Sequence, residues 1–387
     1  MPIRARAVSA AALTGLVTSA IALGGCATEN KPKRSEIADP VVVTYAGGIY
    51  VLDGKTLNVA ADVKLDGFNR VNPSGDDSHM LVSTKSGFRV LDAVHGEFTD
   101  IEFPGAKPGH VVRHAGRTVL FADGTGEVTS FDPRDLKHGK PDTTVYKTAA
   151  PHHGVAIELA DGRLVTTLGT EEKRTGIVVL DKDRKEIARN EDCPGVHGES
   201  TAAGEAIVIG CQNGALIYRD GVITKVTSPT PYGRIGNQAG TDVSPIAFGD
   251  YKQDKDAELE RPQQISLIDT RDASLRLVPL GTSYSFRSLA RGPQGEALLL
   301  GTDGRMRVID PTTAAVTRSF EVVRPWEEPL DWQQPRPAVF ARGIDVYVSE
   351  PATRQLHRVD LAAGTITASV TLDAAPNELS GIVAQAH

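Results

Sequence analysis

Histidines and a carboxylate recur in two similar phrases near the middle of the chain. Residues 151–154 read Pro-His-His-Gly, and residues 193–199 read Cys-Pro-Gly-Val-His-Gly-Glu. His153 and His197 thus each precede a glycine at the start of a short alternating apolar run. Neutral imidazole nitrogens and a carboxylate oxygen are ligands that suit Zn²⁺ in a tetrahedral site. The two phrases therefore predict a metal site, provided that the fold brings them together.

A repeat runs through the whole chain and would position these phrases. Each copy is a β-rich run that closes on an acidic residue, as in Ile177-Val-Val-Leu-Asp181. The closing residues, spaced by 39, 40, 49, 39, 49, 41 and 50 positions, are Asp53, Asp92, Asp132, Asp181, Asp220, Asp269, Asp310 and Asp360. Alternating apolar residues, Gly and Pro turns and a period of about 40 residues are typical of a four-stranded propeller blade. We therefore predict an all-β fold, an eight-bladed β-propeller.

The two ends of the repeat predict how the ring closes. Val41–Tyr45 has the pattern of a second strand with no first strand before it, and Glu378–Val383 has that of a first strand with no blade after it. The last blade should therefore be completed by both termini, which leaves no open sheet edge at the seam. The predicted propeller domain spans residues 40–387. Seven blades with an insert, or two four-bladed domains, are the alternatives, but no Pro/Ser-rich linker interrupts the middle of the chain.

The N-terminal residues predict export and anchoring. A basic start and a small apolar run over residues 7–23 lead to Leu-Gly-Gly-Cys26, which resembles a bacterial lipobox. Residues 1–26 are therefore predicted to be a lipoprotein signal peptide, with Cys26 as the lipidated residue; an ordinary signal peptide that happens to end in cysteine is the alternative. Residues 27–39 are predicted to be a flexible tether. We expect an extracytoplasmic protein of the cell envelope, held on the membrane through its lipid anchor.

Two cysteines, Cys193 and Cys211, remain beyond the signal peptide. In an oxidising compartment an even pair forms a disulfide by default. If residues 203–205 form a hairpin turn, both cysteines lie near the far ends of adjacent antiparallel strands and almost face each other. A metal-binding role for the thiols is the alternative, and oxidation would compete with it.

The overall charge excludes one large class of partner. The formal net charge is -7 and the isoelectric point is about 5.8, so no general electrostatic attraction to nucleic acid or to anionic lipid is expected. We predict no nucleic-acid partner and no membrane contact other than the lipid anchor.

The propeller geometry would gather the histidines at one end of the central channel. In a propeller the first strand of each blade lines the channel, and the loop that enters this strand forms the channel mouth. Alignment of the repeats places His110, His153 and His197 at the second, third and fourth entrances. Glu199 lies two residues beyond His197 on a strand and therefore faces the same way. His152 points away in a regular backbone, so it would support a ligand or replace one; histidines that only hydrogen-bond loops remain the simpler interpretation.

Arginines and tryptophans occupy other entrances. Arg70, Arg234 and Arg287 could neutralise an anion in the channel, although pairing with carboxylates is the simpler interpretation. Trp326 and Trp332 precede the seventh entrance and would cap the channel or cover its rim.

The sequence contains no G-x-S-x-G, H-E-x-x-H or Walker-type motif. A propeller hydrolase of the lactonase type stays open as an alternative, because channel residues could hold Ca²⁺: Asn69, Asn237, Asn377 and Glu378. A quinone-dependent dehydrogenase is disfavoured because eight-bladed quinoproteins carry recurrent Trp motifs and this chain has only 2 Trp. A protein-interaction propeller without a metal is the third alternative.

The segment Asn190–Glu199, with its Cys-Pro-Gly-Val-His-Gly-Glu phrase, resembles the AztD-type zinc metallochaperones. These are secreted propellers that hand zinc to the solute-binding protein of a zinc ABC importer. The Pro-His-His-Gly phrase and the eight repeats fit as well, so the resemblance covers residues 40–387. It implies a zinc site of His and carboxylate ligands at the channel mouth, and a disulfide for which Cys193 and Cys211 are the candidates. The lipobox is a departure, because a tethered carrier cannot diffuse away.

The resulting hypothesis is a non-enzymatic zinc carrier that takes part in metal transport. His153, His197 and Glu199 are predicted to bind Zn²⁺, with His110 as the further ligand and His152 as an additional candidate. The expected partner is the solute-binding protein of a zinc ABC transporter, and the expected state is a monomer.

Overall fold

The structure is a computed structural model that describes residues 35–383. Eight sheets form the blades of a ring, each with four antiparallel strands and one with a short fifth strand in addition, so the predicted all-β, eight-bladed propeller is confirmed. The predicted signal peptide, its Cys26 and most of the predicted tether lie outside the described residues. Within residues 35–383, no helix is both long and apolar enough to cross a membrane.

The strands follow one another in chain order, and the first three belong to the closing blade. That blade, blade 8, begins with β1 (Val41–Tyr45), β2 (Gly48–Leu52) and β3 (Val59–Lys64). Blade 1 contains β4 (Val71–Pro73), β5 (His79–Ser83), β6 (Gly87–Asp92) and β7 (Glu97–Pro104). Blade 2 contains β8 (Pro108–His114), β9 (Arg117–Ala122), β10 (Glu127–Phe131) and β11 (Thr143–Lys147). Blade 3 contains β12 (Ala156–Glu158), β13 (Leu164–Gly169), β14 (Arg174–Leu180) and β15 (Glu186–Asn190).

The second half of the ring repeats this plan. Blade 4 contains β16 (Glu199–Ala202), β17 (Ala206–Cys211), β18 (Asn213–Arg219) and β19 (Val222–Thr227), with a short β20 (Gly233–Arg234) parallel to β18. Blade 5 contains β21 (Gln238–Ala239), β22 (Ile246–Asp250), β23 (Gln264–Asp269) and β24 (Ser274–Pro279). Blade 6 contains β25 (Leu289–Arg291), β26 (Ala297–Leu300), β27 (Arg305–Asp310) and β28 (Ala315–Glu321). Blade 7 contains β29 (Val339–Arg342), β30 (Asp345–Glu350), β31 (Gln355–Asp360) and β32 (Thr365–Thr371), and β33 (Leu379–Gly381) completes blade 8. The described helices are two short 3₁₀ turns, Pro133–His138 and Pro351–Thr353.

Strand burial follows from the ring. Second strands such as β5 and β17 are buried at every residue, because neighbouring blades cover both faces of the sheet. Fourth strands such as β19 and β24 alternate between exposed and buried residues at the rim. The apolar runs of the sequence are therefore the inner strands, and the alternating runs are the outer ones.

The aspartate that closes each repeat has a structural role. Its carboxylate accepts hydrogen bonds from backbone N–H groups in the turn between the third and fourth strands, as Asp53 does from Lys55 and Thr56. The carboxylate thus serves as the hydrogen-bond acceptor that a neighbouring strand would supply within a sheet. Asp220 differs, because it has a φ of 50° in a two-residue Asp-Gly hairpin between β18 and β19.

The ring closes as predicted. In blade 8, β33 from the C-terminal part of the chain pairs antiparallel with β1 from the N-terminal part, with Val41 opposite Gly381 and Val43 opposite Leu379. The chain just before β1 also joins the ring. Ile37, within the predicted tether, is buried, and its N–H donates to the carbonyl of Val94 at 2.8 Å.

Candidate metal centre

Three histidines from three consecutive blades meet at one end of the channel. His110 lies on β8, while His153 and His197 lie in the segments that enter β12 and β16. One ring nitrogen of each lies within 4.8 Å of the others. The ring centroids are 4.9 Å apart for His153 and His197, 5.2 Å for His110 and His153, and 5.6 Å for His110 and His197. Within residues 35–383 these three form the group of His, Cys, Asp or Glu side chains that could hold a metal ion.

Glycines beside the histidines allow the close approach of neighbouring segments. Gly198 has a φ of 76°, and a Cβ atom there would lie 2.3 Å from the carbonyl oxygen of Gly236. A Cβ atom at Gly109 would lie 2.2 Å from the carboxylate of Asp123. A larger residue at Gly198 or Gly109 would thus displace the group that orients His197 or His153, respectively. This explains why a glycine lies next to His197 and next to His110 in the sequence.

Each histidine is oriented through its Nδ1 atom. Asp123 Oδ2 lies 2.5 Å from Nδ1 of His153, and Glu199 Oε2 lies 3.1 Å from Nδ1 of His110. The Nδ1 of His197 is 2.6 Å from the carbonyl oxygen of Gly236. In each case Nε2 is the nitrogen left for a ligand. Metal-binding histidines are commonly held this way, by a carboxylate or a carbonyl on the opposite ring nitrogen.

The pKa values of the two more buried histidines, His197 and His110, are shifted in opposite directions. Burial, followed by the charges of His110 and Arg234, holds the pKa of His197 well below its usual value, so this imidazole is neutral. Burial also lowers the pKa of His110, but the charge and hydrogen bond of Glu199 outweigh burial and leave that pKa raised. A metal ion therefore meets a neutral ligand at His197 and competes with a proton at His110.

The other sequence-predicted residues take different places. Glu199, the first residue of β16, faces His110, and its side chain is 17% exposed. His152 is buried and points away from the three histidines. Its Nδ1 lies 2.9 Å from the carbonyl oxygen of Ala150, and its Nε2 lies 2.9 Å from Oγ1 of Thr167. His152 thus has both nitrogens engaged within blade 3.

Asp123 is a residue that sequence reasoning missed. It follows the last residue of β9, and it reaches across to the next blade to hold His153 and the N–H of Gly154. The available signal was an acidic residue at the end of a second strand, which is the end that faces the channel mouth. Asp250 ends the second strand of blade 5 and holds the N–H groups of Gly236 and Asn237 in the same manner.

The predicted disulfide joins Cys193 to Cys211, with Cα atoms 4.9 Å apart. Both cysteines are fully buried. The bridge ties the segment before β16 to the end of β17, and the N–H of His197 donates to the carbonyl of Gly210 at 3.0 Å. The disulfide therefore anchors the segment that presents His197.

The histidines line a cavity of about 490 Å³ at this end of the channel. Its other walls include Arg70, Arg287, Phe286 and Trp332. We call the end of the channel that contains this cavity the channel mouth. Trp332 covers part of its rim and is packed edge-on against Phe68, with ring centroids 5.1 Å apart. Trp326 instead donates its indole N–H to the carbonyl of Gly301 at 3.0 Å.

The residues proposed for a lactonase-type calcium site each have local partners. Asn69 donates to the carbonyls of Asp66 and Gly67. Asn237 donates to Asp250 at 2.8 Å, and Glu378 lies 2.6 Å from Arg287. These side chains thus hold loops and ion pairs in place.

Comparison with known proteins supplies relatives for the chain. No protein-family model matches it. The zinc chaperone AztD of Citrobacter koseri is 25% identical over 317 residues, which cover 76% of this chain and 72% of AztD. Two structures of Citrobacter koseri AztD superpose with a TM-score of 0.74. The apo structure is 20% identical and matches 89% of this chain and 97% of its own, and the second is 21% identical and matches 90% and 98%.

A more distant propeller shows how widely the fold is used. The dihydro-haem d1 dehydrogenase NirN superposes with a TM-score of 0.60 at 14% identity, over 89% of this chain and 75% of its own. This likeness concerns the fold alone. The match to AztD, by contrast, extends to the sequence. The resemblance that the Cys-Pro-Gly-Val-His-Gly-Glu phrase indicated is therefore confirmed, and the chain is a relative of AztD with the same fold.

Proposed function

We propose that this protein is a zinc metallochaperone that carries one Zn²⁺ ion at the channel mouth. The observation that carries the proposal is the meeting of His110, His153 and His197, whose Nδ1 atoms are all occupied and whose remaining nitrogens face a common point. Three imidazole nitrogens match the ligand type and number of zinc sites that keep one position open. The relationship to the zinc chaperone AztD supports the same metal.

The proposed ligands are the three histidines, and Glu199 supports one of them without binding the metal itself. Its carboxylate lies at Nδ1 of His110, where it orients the ring and makes it a more basic ligand. His152 contributes to the shape of the entrance through Ala150 and Thr167 rather than through the metal.

An open coordination position suits a carrier better than a closed site would. A zinc ion with four protein ligands is released only when a ligand leaves, whereas a three-ligand site accepts an incoming ligand first. The side chain of His153 is 41% exposed, so the site is accessible from the channel mouth. We propose that a ligand of the solute-binding protein of a zinc ABC importer takes the open position during delivery.

The proposed place of action is the outer side of the cytoplasmic membrane. Cleavage of the signal peptide just before Cys26 and lipidation of the exposed Cys26 would keep the carrier at the surface where the importer lies. The protein needs no enzymatic activity for this role, and we propose that it acts as a monomer.

Calorimetric titration of the chelator-treated protein with ZnCl₂ tests the proposal. We expect one high-affinity site, lost in His197→Ala and retained in the control His138→Ala, since His138 is exposed at the end of a 3₁₀ turn. A His197→Ala protein that binds zinc as tightly as the parent contradicts the assignment. Transfer is tested by mixing the zinc-loaded protein with the apo solute-binding protein and excess EDTA. Zinc recovered only by EDTA would contradict direct delivery.

A further inference from the structure

The channel mouth contains an arginine whose charge has no partner. Among residues 35–383, the side chain of Arg70 makes no ion pair, and its Nε atom is buried without a hydrogen-bond acceptor. Arg70 lines the cavity of the three histidines. Two other arginines at the entrances of the ring are paired. Arg287 lies 2.6 Å from Glu378, and Arg336 lies 2.6 Å from Glu328.

Zinc binding would increase the excess of positive charge in this cavity. The ion adds two positive charges to a cavity in which Glu199 is already engaged by His110. Arg70 lies close enough to act electrostatically on His110 and on Arg287. Like charges that share a partly enclosed cavity repel each other unless an anion lies between them. The cavity therefore has a position at which a negative charge would be stabilised from two sides.

The shape of the cavity indicates what kind of anion fits. About 490 Å³ is within the range of small-molecule sites and exceeds what a single water or chloride ion needs. The wall next to Arg70 and Arg287 is aromatic, from Phe286 and Trp332. The guanidinium group of arginine has the planar donor geometry that matches a carboxylate. The cavity can therefore accommodate an anion that carries a charged group and an apolar group side by side.

We propose that the channel mouth binds a small organic carboxylate together with zinc. One carboxylate oxygen takes the open coordination position of the ion, and the other accepts a hydrogen bond from Arg70. The apolar part of the molecule lies against Phe286 and Trp332. The inference rests on the proposed function, because the ion holds one end of the anion. It implies that zinc affinity rises with the concentration of the carboxylate.

Zinc titrations at matched free Zn²⁺ activity, in chloride-free buffer, with and without acetate or benzoate, test the proposal. Both carboxylates should strengthen zinc binding to the parent, benzoate by about tenfold, as one charge-assisted hydrogen bond supports. Benzoate should exceed acetate because its ring covers the aromatic wall. Sulfate, added as a third anion, should have a smaller effect, and an equal effect would contradict the assignment to a carboxylate.

Arg70→Gln is the critical variant. Its zinc affinity relative to that of the parent should depend on whether a carboxylate is present in the buffer. Without an added anion it should bind zinc at least as tightly as the parent, because a repelling charge is gone. With benzoate it should show no strengthening. Arg271→Gln removes the same charge from an exposed arginine that pairs with Asp269 at 2.6 Å, and it should behave like the parent.

The outcomes separate this inference from the proposed function. Zinc binding that neither carboxylate strengthens, or strengthening that survives in Arg70→Gln, overturns the inference alone. A parent protein that binds no zinc in any buffer overturns the proposed function and the inference with it.

Discussion

Two halves of the channel mouth use the same entrance position in different ways. In blades 2, 3 and 4 the entrances present His110, His153 and His197, and each imidazole keeps one nitrogen free of protein partners. In blades 6, 7 and 8 the entrances present Arg287, Arg336 and Glu378, which are consumed in ion pairs. The comparison shows that a polar residue at an entrance is not by itself a site. In the histidine half, by contrast, the surrounding protein groups contact only Nδ1 of each ring and leave Nε2 available for a ligand.

The largest expected effect is a loss of stability caused by a substitution in the ion-paired half. Arg336 is 2% exposed and lies 2.6 Å from Glu328, whose pKa burial raises despite this partner. Arg336→Met should lower the free energy of unfolding by about 3–5 kcal/mol, because it leaves a buried carboxylate without a counter-charge. Urea denaturation measures this loss. The zinc affinity of the folded variant should stay within about twofold of the parent, and a large loss of affinity would show that the two halves are not independent.

Removal of the disulfide should destabilise the histidine half. Cys193 and Cys211 are 18 residues apart, and a loop of this size corresponds to about 3 kcal/mol of stability. Cys193→Ala with Cys211→Ala should therefore lower the denaturation midpoint and also weaken zinc binding, because the bridge anchors the segment of His197. A double variant that is less stable but binds zinc unchanged would separate the disulfide from the site.

Asp123→Asn tests whether the groups behind the histidines matter. The substitution keeps the shape of the side chain but removes the charge that faces Nδ1 of His153. Zinc affinity should fall by about 10–100-fold, as is typical when the carboxylate behind a metal-binding histidine is lost. Asp77→Asn, on an exposed carboxylate that contacts Lys137, is the matched control and should bind as the parent does. Unchanged affinity in Asp123→Asn would mean that His153 needs no support.

The smallest expected effect is the dependence of zinc affinity on pH. The raised pKa of His110 means that this ring takes up a proton before His197 does as the pH falls, because burial lowers the pKa of His197. Zinc affinity should therefore decrease as the pH is lowered through the pKa of His110 and be constant above it. Calorimetry in buffers of different ionisation enthalpy should detect about one proton released per zinc ion below that pKa and none well above it. Glu199→Gln should shift this window to lower pH, and a window that does not move would contradict the role of Glu199.

Much of the fold could be predicted from the sequence because the repeat carries it. The Asp-ended phrase marks the third strand of each blade, and the unmatched patterns at Val41–Tyr45 and at residues 378–383 indicated the closing blade correctly. The same alignment placed His110, His153 and His197 at consecutive entrances, so their meeting follows from the ring symmetry. The disulfide was predictable because the two cysteines flank one hairpin.

The partners of these residues could not be predicted in the same way. Asp123 reaches from one blade to His153 in the next, and the His197 ring is held by the backbone carbonyl of Gly236, which any residue would supply. The position of Glu199 on His110 depends on side-chain conformation and on an irregular strand pairing between Pro108 and Val111. Ile37 joins the core although the short segment around it, Ser-Glu-Ile-Ala-Asp, has no strand pattern. A repeat pattern specifies which backbone positions coincide, but not which side chains hydrogen-bond there.

We propose that the three histidines bind zinc through Nε2. Diffraction from crystals of the zinc-loaded protein, measured on both sides of the zinc absorption edge, tests this binding mode. One strong anomalous peak is expected at about 2.0–2.1 Å from Nε2 of His110, His153 and His197. A peak bound through other residues, or no peak between these rings in a protein that carries zinc, would contradict it.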